Sequence, residues 1–196
     1  MATPNILVFA GSTRRDSFAR KLAAAVVPAL MAAGGKVTHV NLADFDMPIY
    51  NGDLEAEHGL PENVRKLQIL IASHDALLIA TPEYNGSITP LELNVLDWCS
   101  RPDKDNPTTS GTGIFADKPA AIISSSPGPL GGMRALFHLR DLLGYLGMIV
   151  VPQQLAVGKA HEAFAADGSL ADKKQQAALE GVARALVGTA GKLRVI

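Results

Sequence analysis

The chain has 196 residues, 47% of them apolar, with 18 Lys and Arg against 19 Asp and Glu for a formal net charge of −1. That length supplies one sizeable core and points to a single domain over residues 1–196. The near-neutral balance leaves no basic excess for nucleic acid or an anionic membrane surface, and no acidic excess suited to docking on basic partners. One cysteine, Cys99, excludes an internal disulfide and a Cys-rich metal site. The start, Met1-Ala2-Thr3-Pro4-Asn5, has no basic segment ahead of an apolar one. No apolar run reaches the ~18 residues of a membrane helix, so a soluble cytoplasmic protein is expected.

In chain order, apolar runs of strand length alternate with longer helical patterns. A first strand is expected over 5–10, then a helix over 17–33 whose core face is Leu22, Val26, Val27 and Leu30, ended by Gly34-Gly35. A second strand over 36–41 leads into residues 42–60, where Pro48, Gly52 and Gly59 mark an irregular connection. A helix over 62–74, a strand over 76–81 and a helix over 88–99 follow. Residues 101–117 are dense in turn formers; then come a strand over 119–125, a helix over 131–146, a strand over 148–152 and a helix over 169–193. The first, third and fourth strands are almost wholly apolar, as when both faces are covered. The alternation predicts a parallel sheet with right-handed crossovers, and five strands favour the flavodoxin-like order 2-1-3-4-5.

Three segments would meet at the carboxyl edge of that sheet, where open α/β folds bind ligands. The first is Gly11-Ser12-Thr13-Arg14-Arg15-Asp16-Ser17, at a strand-to-helix turn. Unpaired amides, the helix dipole, the hydroxyls of Ser12, Thr13 and Ser17 and the Arg14 fork suit a phosphate. Gly11 is expected to let the backbone turn sharply. The segment matches neither G-x-x-x-x-G-K-[ST] nor G-x-G-x-x-G. Ser17 as a simple cap and Arg14 as a solvated side chain is the plainer alternative. The second is Pro82-Glu83-Tyr84-Asn85-Gly86, whose amides and Asn side chain could read a flat heteroaromatic edge while Tyr84 forms a wall. Alternatively, Glu83 and Asn85 cap the next helix. The third is Ser124-Ser125-Ser126-Pro127-Gly128-Pro129-Leu130-Gly131-Gly132-Met133-Arg134, where small residues leave room for a ring and a helix start offers further amides.

Five histidines show no metal spacing, and no G-x-S-x-G elbow surrounds the serines. Cys99 beside Trp98 reads as a buried small hydrophobe.

At these residues the sequence resembles the NAD(P)H-dependent FMN reductase family, the flavodoxin-like three-layer sandwiches that include quinone, chromate and azo-dye reductases. Gly11-Ser12-Thr13-Arg14 with Ser17 is similar to its phosphate loop. Pro82-Glu83-Tyr84-Asn85, with Ser87, Asn94, Asp97, Trp98, Ser100 and Arg101, resembles its P-E-Y-N-x-S…N-x-x-D-W-x-S-R stretch. Ser126, Gly128, Gly131, Gly132 and Arg134, with Leu139-Arg140, resemble its S-x-G-x-x-G-G-x-R…L-R segment. The likeness spans about residues 5–152.

The resemblance implies non-covalent FMN. Its phosphate would lie on Ser12, Thr13, Arg14, Ser17, Phe18 and Ala19. Its ring and ribityl would lie against Pro82, Glu83, Tyr84, Asn85 and Gly86 and near Ser126 and Gly128. NAD(P)H would reduce the flavin, a second small acceptor would take the electrons, and no side chain need act as acid or base. It also implies a homodimer or homotetramer, with Arg101 and the 101–117 loop as candidates for the boundary. Ala19 stands where the family often has Asn, and Leu93, preceded by Glu92, stands where it usually has Lys, which alters charge on the third helix. An FMN-binding electron carrier or flavin-sequestering module without NAD(P)H activity stands as the alternative.

Overall fold

In the computed structural model, which describes residues 3–193, five strands form one sheet: β1 (Asn5–Ala10), β2 (Lys36–His39), β3 (Ala76–Thr81), β4 (Pro119–Ser125) and β5 (Ile149–Val157). Every neighbouring pair is parallel and the order is β2-β1-β3-β4-β5, the order expected. Residues 1–2 and 194–196, the ends of the expected domain, lie outside the described residues. The chain leaves β1 for the edge, then returns past it to β3. The strand order therefore reverses between β1 and β3, and a crevice opens at their carboxyl ends.

Helices α1 (Phe18–Ala32), α2 (Gly52–His58), α3 (Glu62–Ser73), α4 (Pro90–Cys99), α5 (Met133–Tyr145) and α6 (Lys173–Leu193) cover the sheet. Alternation along β1 sends Ile6, Val8 and Ala10 into a cluster with Leu22, Val26 and Leu30 of α1 and Leu179, Val182 and Leu186 of α6. Leu7 and Phe9 point the other way, to Val64, Leu67 and Ile71 of α3, Val95 and Trp98 of α4, and Leu136 and Leu139 of α5. Two buried faces explain why the central strands lack polar alternation. No helix among the described residues is long and apolar enough to cross a membrane.

Sequence and structure part in a few places. The sequence ends the fifth strand at Pro152, where an N–H donor is lost; the structure carries β5 on to Val157. β5 is an edge strand, and its pairing jumps from Ala120↔Val150 to Ile122↔Gln154, so Pro152 falls in a bulge where no donor is required of it. Arg140 braces the bulge, donating to the carbonyls of Val150 (3.2 Å) and Val151 (3.0 Å) and to Gln154 Oε1 (2.8 Å). The irregular 42–60 connection contains α2, capped by Asn51 and without a buried residue, which hid it from periodicity. Asn94 and Trp98 of α4 pin this connection by donating to the Pro48 carbonyl at 2.9 and 2.8 Å. α6 begins at Lys173, four residues later than expected, because Asp172 Oδ1 caps the amides of Lys174 (2.7 Å) and Gln175 (3.1 Å).

Candidate functional site

The first loop leaves β1 with its last ladder bond, from Gly11 N to the Ala80 carbonyl at 2.9 Å. Ser12 and Ser17 are buried, while Thr13, Arg14, Arg15 and Asp16 are exposed. Ser17 Oγ accepts from Arg20 N (3.4 Å) and caps α1. The cap and a binding role are compatible, because the hydroxyl proton stays free to donate. Ser12 Oγ accepts from Arg14 N at 3.3 Å. The amides of Phe18 and Ala19, in the first helical turn, make no hydrogen bond among the described residues. The Arg14 guanidinium makes one long contact, to the Asp16 carbonyl at 3.5 Å. Free amides at the positive end of a helix, two hydroxyls and a loose guanidinium form an anion cradle. Phe18 offers it only backbone, since its ring stacks on Phe164 with centroids 6.5 Å apart.

Gly11 has a different role from the one expected. It has no left-handed backbone; instead a Cβ there would lie 2.6 Å from Glu92 Oε2. The glycine exists to let α4 approach the loop from behind.

The second loop is a hairpin. Tyr84 and Ser87 exchange both backbone hydrogen bonds at 3.0 Å, and Asn85 (φ 52°) with Gly86 (φ 79°) makes a type I′ turn. Gly86 serves the turn by its left-handed backbone, and a Cβ there would meet nothing of the chain nearer than Arg134 Cδ at 3.6 Å. Neither Glu83 nor Asn85 caps α4, because Thr89 does. Glu83 instead crosses to α5, accepting from Arg134 N (3.1 Å) and from the Arg134 guanidinium (3.3 Å). An amide expected to be free at the start of that helix is thus taken by a carboxylate that the helix dipole favours. Tyr84 projects into solvent, 48% exposed.

In the third loop Ser126 N donates to the Val157 carbonyl at 3.1 Å, and Ser126 Oγ accepts from Gly128 N at 3.3 Å. Gly131 lies flat on the end of β5, where a Cβ would come within 2.6 Å of Gly158 N. Ser125 is 2% exposed, and its Oγ has no partner among the described residues. A buried hydroxyl left unpaired costs about 1–3 kcal/mol, which a ligand would recover.

These loops meet. Ser12, Arg14, Ser17, Phe18, Ala19, Pro82, Glu83, Tyr84, Ser125, Ser126 and Pro127 line one cleft of about 130 Å³. It shares Glu83 and Ser126 with an adjoining hollow of about 240 Å³ that includes Gly128. Thr13, Asn85 and Gly86 lie on these loops without lining the cleft.

Sequence reasoning missed Ser125, and it missed what lies beneath the first loop. Glu92 is fully buried, and burial pushes its carboxyl up to about 7, against the lowering effect of hydrogen bonds with Thr81 and Thr89. A signal was present: Glu92 stands three, four and seven residues before the buried Val95, Leu96 and Cys99.

Arg101 is not part of this cleft. It lines a separate hollow of about 520 Å³ with Tyr50, Glu55, Arg65 and Asp103. There Arg101 pairs with Glu55 (3.0 Å) and Arg65 with Asp103 (2.9 Å). Among the described residues no group of three His, Cys, Asp or Glu could hold a metal ion.

The sequence profile of the NADPH-dependent FMN reductase family matches residues 4–162. The chain is 35% identical over 186 residues to an NAD(P)H-dependent FMN reductase of Pseudomonas aeruginosa, covering 92% of each chain. It is 37% identical over 148 residues to a 2-hydroxy-1,4-benzoquinone reductase of a Burkholderia species, covering 76% of this chain and 74% of the other. Its fold superposes with a TM-score of 0.80 on a flavoenzyme NAD(P)H:(acceptor) oxidoreductase of Paracoccus denitrificans, 33% identical, over 97% of this chain and 98% of that one.

Proposed function

The chain belongs to the NADPH-dependent FMN reductase family, and from that premise we propose that it holds FMN in the cleft at the carboxyl ends of β1, β3 and β4. There it passes electrons from NAD(P)H to a quinone or free flavin, with azo compounds and chromate as further acceptors of the same kind. The observation that carries this reading is the convergence of donors with capacity to spare: the amides of Phe18 and Ala19 and the buried Ser125 hydroxyl, without a partner among the described residues, and the loosely held Arg14 guanidinium line one cleft. Such a set fits a group with a phosphate at one end and a polar, flat body at the other.

FMN held there would supply the redox chemistry of hydride and electron transfer between the dihydronicotinamide and the acceptor. The chain's part is to bind and orient. Ser12, Ser17, Arg14 and the amides from Thr13 to Ala19 hold the phosphate. Pro82 and the Glu83-Tyr84-Asn85-Gly86 hairpin flank the ring, and the Glu83–Arg134 pair fixes that hairpin to α5. Ser125, Ser126 and Gly128 serve the body of the cofactor. The exposed Tyr84 leaves one side accessible to both substrates in turn. Met133 and Phe137, 40% and 54% exposed, stand four residues apart on one face of α5. They support a homodimer or homotetramer in which that face is covered.

The test is an absorption spectrum of protein reconstituted with FMN, recorded before and after anaerobic addition of NADPH. Bound-flavin absorbance that bleaches on mixing is expected. Bound flavin that stays oxidised would overturn the reductase role in favour of a carrier or sequestering module. Absence of flavin binding would overturn the site.

A further inference from the structure

Behind the first loop lies a carboxyl with no access to water. Glu92 is 0% exposed. Its amide donates to Thr89 Oγ1 at 3.2 Å, and the Thr89 hydroxyl donates to the Gly11 carbonyl at 2.7 Å. Its Oε2 stands 2.5 Å from Thr81 Oγ1, and the same hydroxyl stands 2.8 Å from the Pro82 carbonyl. Its Oε1 has no partner among the described residues. One side chain thus packs under the first residue of the phosphate loop and reaches, through Thr81, the first residue of the hairpin loop.

The proton count decides what this arrangement means. Thr81 has one hydroxyl proton and two neighbours. The Pro82 carbonyl can only accept. When Thr81 serves Pro82, the short contact to Glu92 is filled only by a proton carried on Glu92. When Glu92 is ionised it takes the Thr81 proton, and the Pro82 carbonyl loses its donor.

We propose that Glu92 is a positioning residue that carries a proton while the cofactor is bound, and that by donating it to Thr81 it holds the Gly11 and Pro82 loops in their binding arrangement. The proposal rests on the FMN site assigned above. Ionisation acts in two ways: it withdraws the Thr81 proton from Pro82, and it sets a negative charge behind Gly11, opposite a bound phosphate. By reciprocity, binding of the anion draws a proton from solvent onto the Glu92 carboxylate.

No nearby charge offsets this. β1 and β3 bring no ionisable side chain. Arg14, Arg15 and Asp16 of the loop are exposed, and Glu83 is tied to Arg134. On α3, which packs against α4, Lys66 pairs with Glu62 and Arg65 with Asp103. Burial raises the titration of Glu92 against the lowering effect of its two hydrogen bonds, with no charge–charge contribution, and its midpoint of about 7 places the change within reach of ordinary buffers.

The test is FMN affinity, read by flavin fluorescence from about pH 6 to about pH 8, for the wild type and Glu92→Gln. The amide of Gln donates permanently to Thr81, so it mimics the protonated acid. Titration of the FMN phosphate affects both proteins alike. The expected result is a wild-type dissociation constant that rises relative to that of E92Q by about fivefold or more across this range. At the acid end, where Glu92 carries its proton, the two proteins should bind FMN alike. A second measurement needs no variant: infrared spectra of the wild type labelled with carbon-13 glutamate, at about pH 8. A protonated-carboxyl band should appear on adding FMN and vanish on its removal. Parallel affinity curves, or no such band, would overturn the role of Glu92. Failure of the wild type to bind FMN at any pH would instead overturn the cofactor site on which it rests.

Discussion

Two polar regions of this molecule are built on opposite terms. The hollow around Arg101 is the roomier, yet its two arginines are paired, Arg101 with Glu55 and Arg65 with Asp103, and Asp103 also accepts from Asn106. The cleft at the sheet's carboxyl edge is smaller and is left with donors that nothing among the described residues accepts. Size is therefore a poor guide to function here. Buried polar groups are ordinarily paired, so residual hydrogen-bonding capacity marks where something else belongs.

If that contrast holds, changes in the cleft move binding and changes in the hollow move stability. The largest effect comes from the carboxyl beneath the cleft. The titration of Glu92 is raised on folding from 4.5 to about 7, so the folded state binds more protons than the unfolded one between those values. Its contribution is complete below 4.5 and is lost as the pH rises through about 7. Denaturant unfolding should show wild type losing roughly 3 kcal/mol relative to Glu92→Gln between about pH 4 and about pH 8. A constant difference would mean that Glu92 does not ionise on this scale.

Next is Arg14→Ala. It should weaken FMN binding by about 1.5–3 kcal/mol in a fluorescence titration while leaving the thermal midpoint in place. Wild-type affinity in this variant would move the phosphate elsewhere. Asp103→Ala reverses the pattern: a loss of about 1–2 kcal/mol in unfolding free energy, because Arg65, Asn106 and the Asp105 amide lose an acceptor, with FMN affinity unchanged. Smallest is Arg101→Ala, whose pair with Glu55 is partly exposed. Under about 1 kcal/mol of stability should be lost, and the loss should shrink in added salt. A marked fall in FMN affinity on changing Arg101 would erase the distinction between the two regions.

The framework was legible because it rests on patterns that local sequence carries. β1, β3 and β4 are unbroken apolar runs, and α1, α3 and α5 show a buried stripe. The loop positions that converge on the cleft followed from strand order alone. What escaped notice depended on distant partners. Pro152 ends a strand unless a bulge receives it, and only the pairing of β5 with β4 reveals the bulge. Glu83 looked like a cap for the helix after it, but its partner is Arg134, far along the chain. Glu92 reads only as charge on its helix, since carboxylates are rarely buried, and its burial shows only in its contacts with Thr81 and Gly11. Glycine spacing misled in the same way: Gly11 reads as a turn residue, and only contact with α4 shows that it makes room.

The bulge in β5 has a bearing on how copies of this chain can meet. An edge strand with regular pairing offers its free amides and carbonyls to any other strand that comes alongside. β5 cannot do so along its length: Pro152 has no amide to give, and Arg140 already occupies the carbonyls of Val150 and Val151. At the opposite edge, β2 is four residues long and presents Lys36 and His39 to solvent. Both edges of the sheet are thus poor templates for a further strand, which disfavours growth of the sheet into a continuous ribbon across copies.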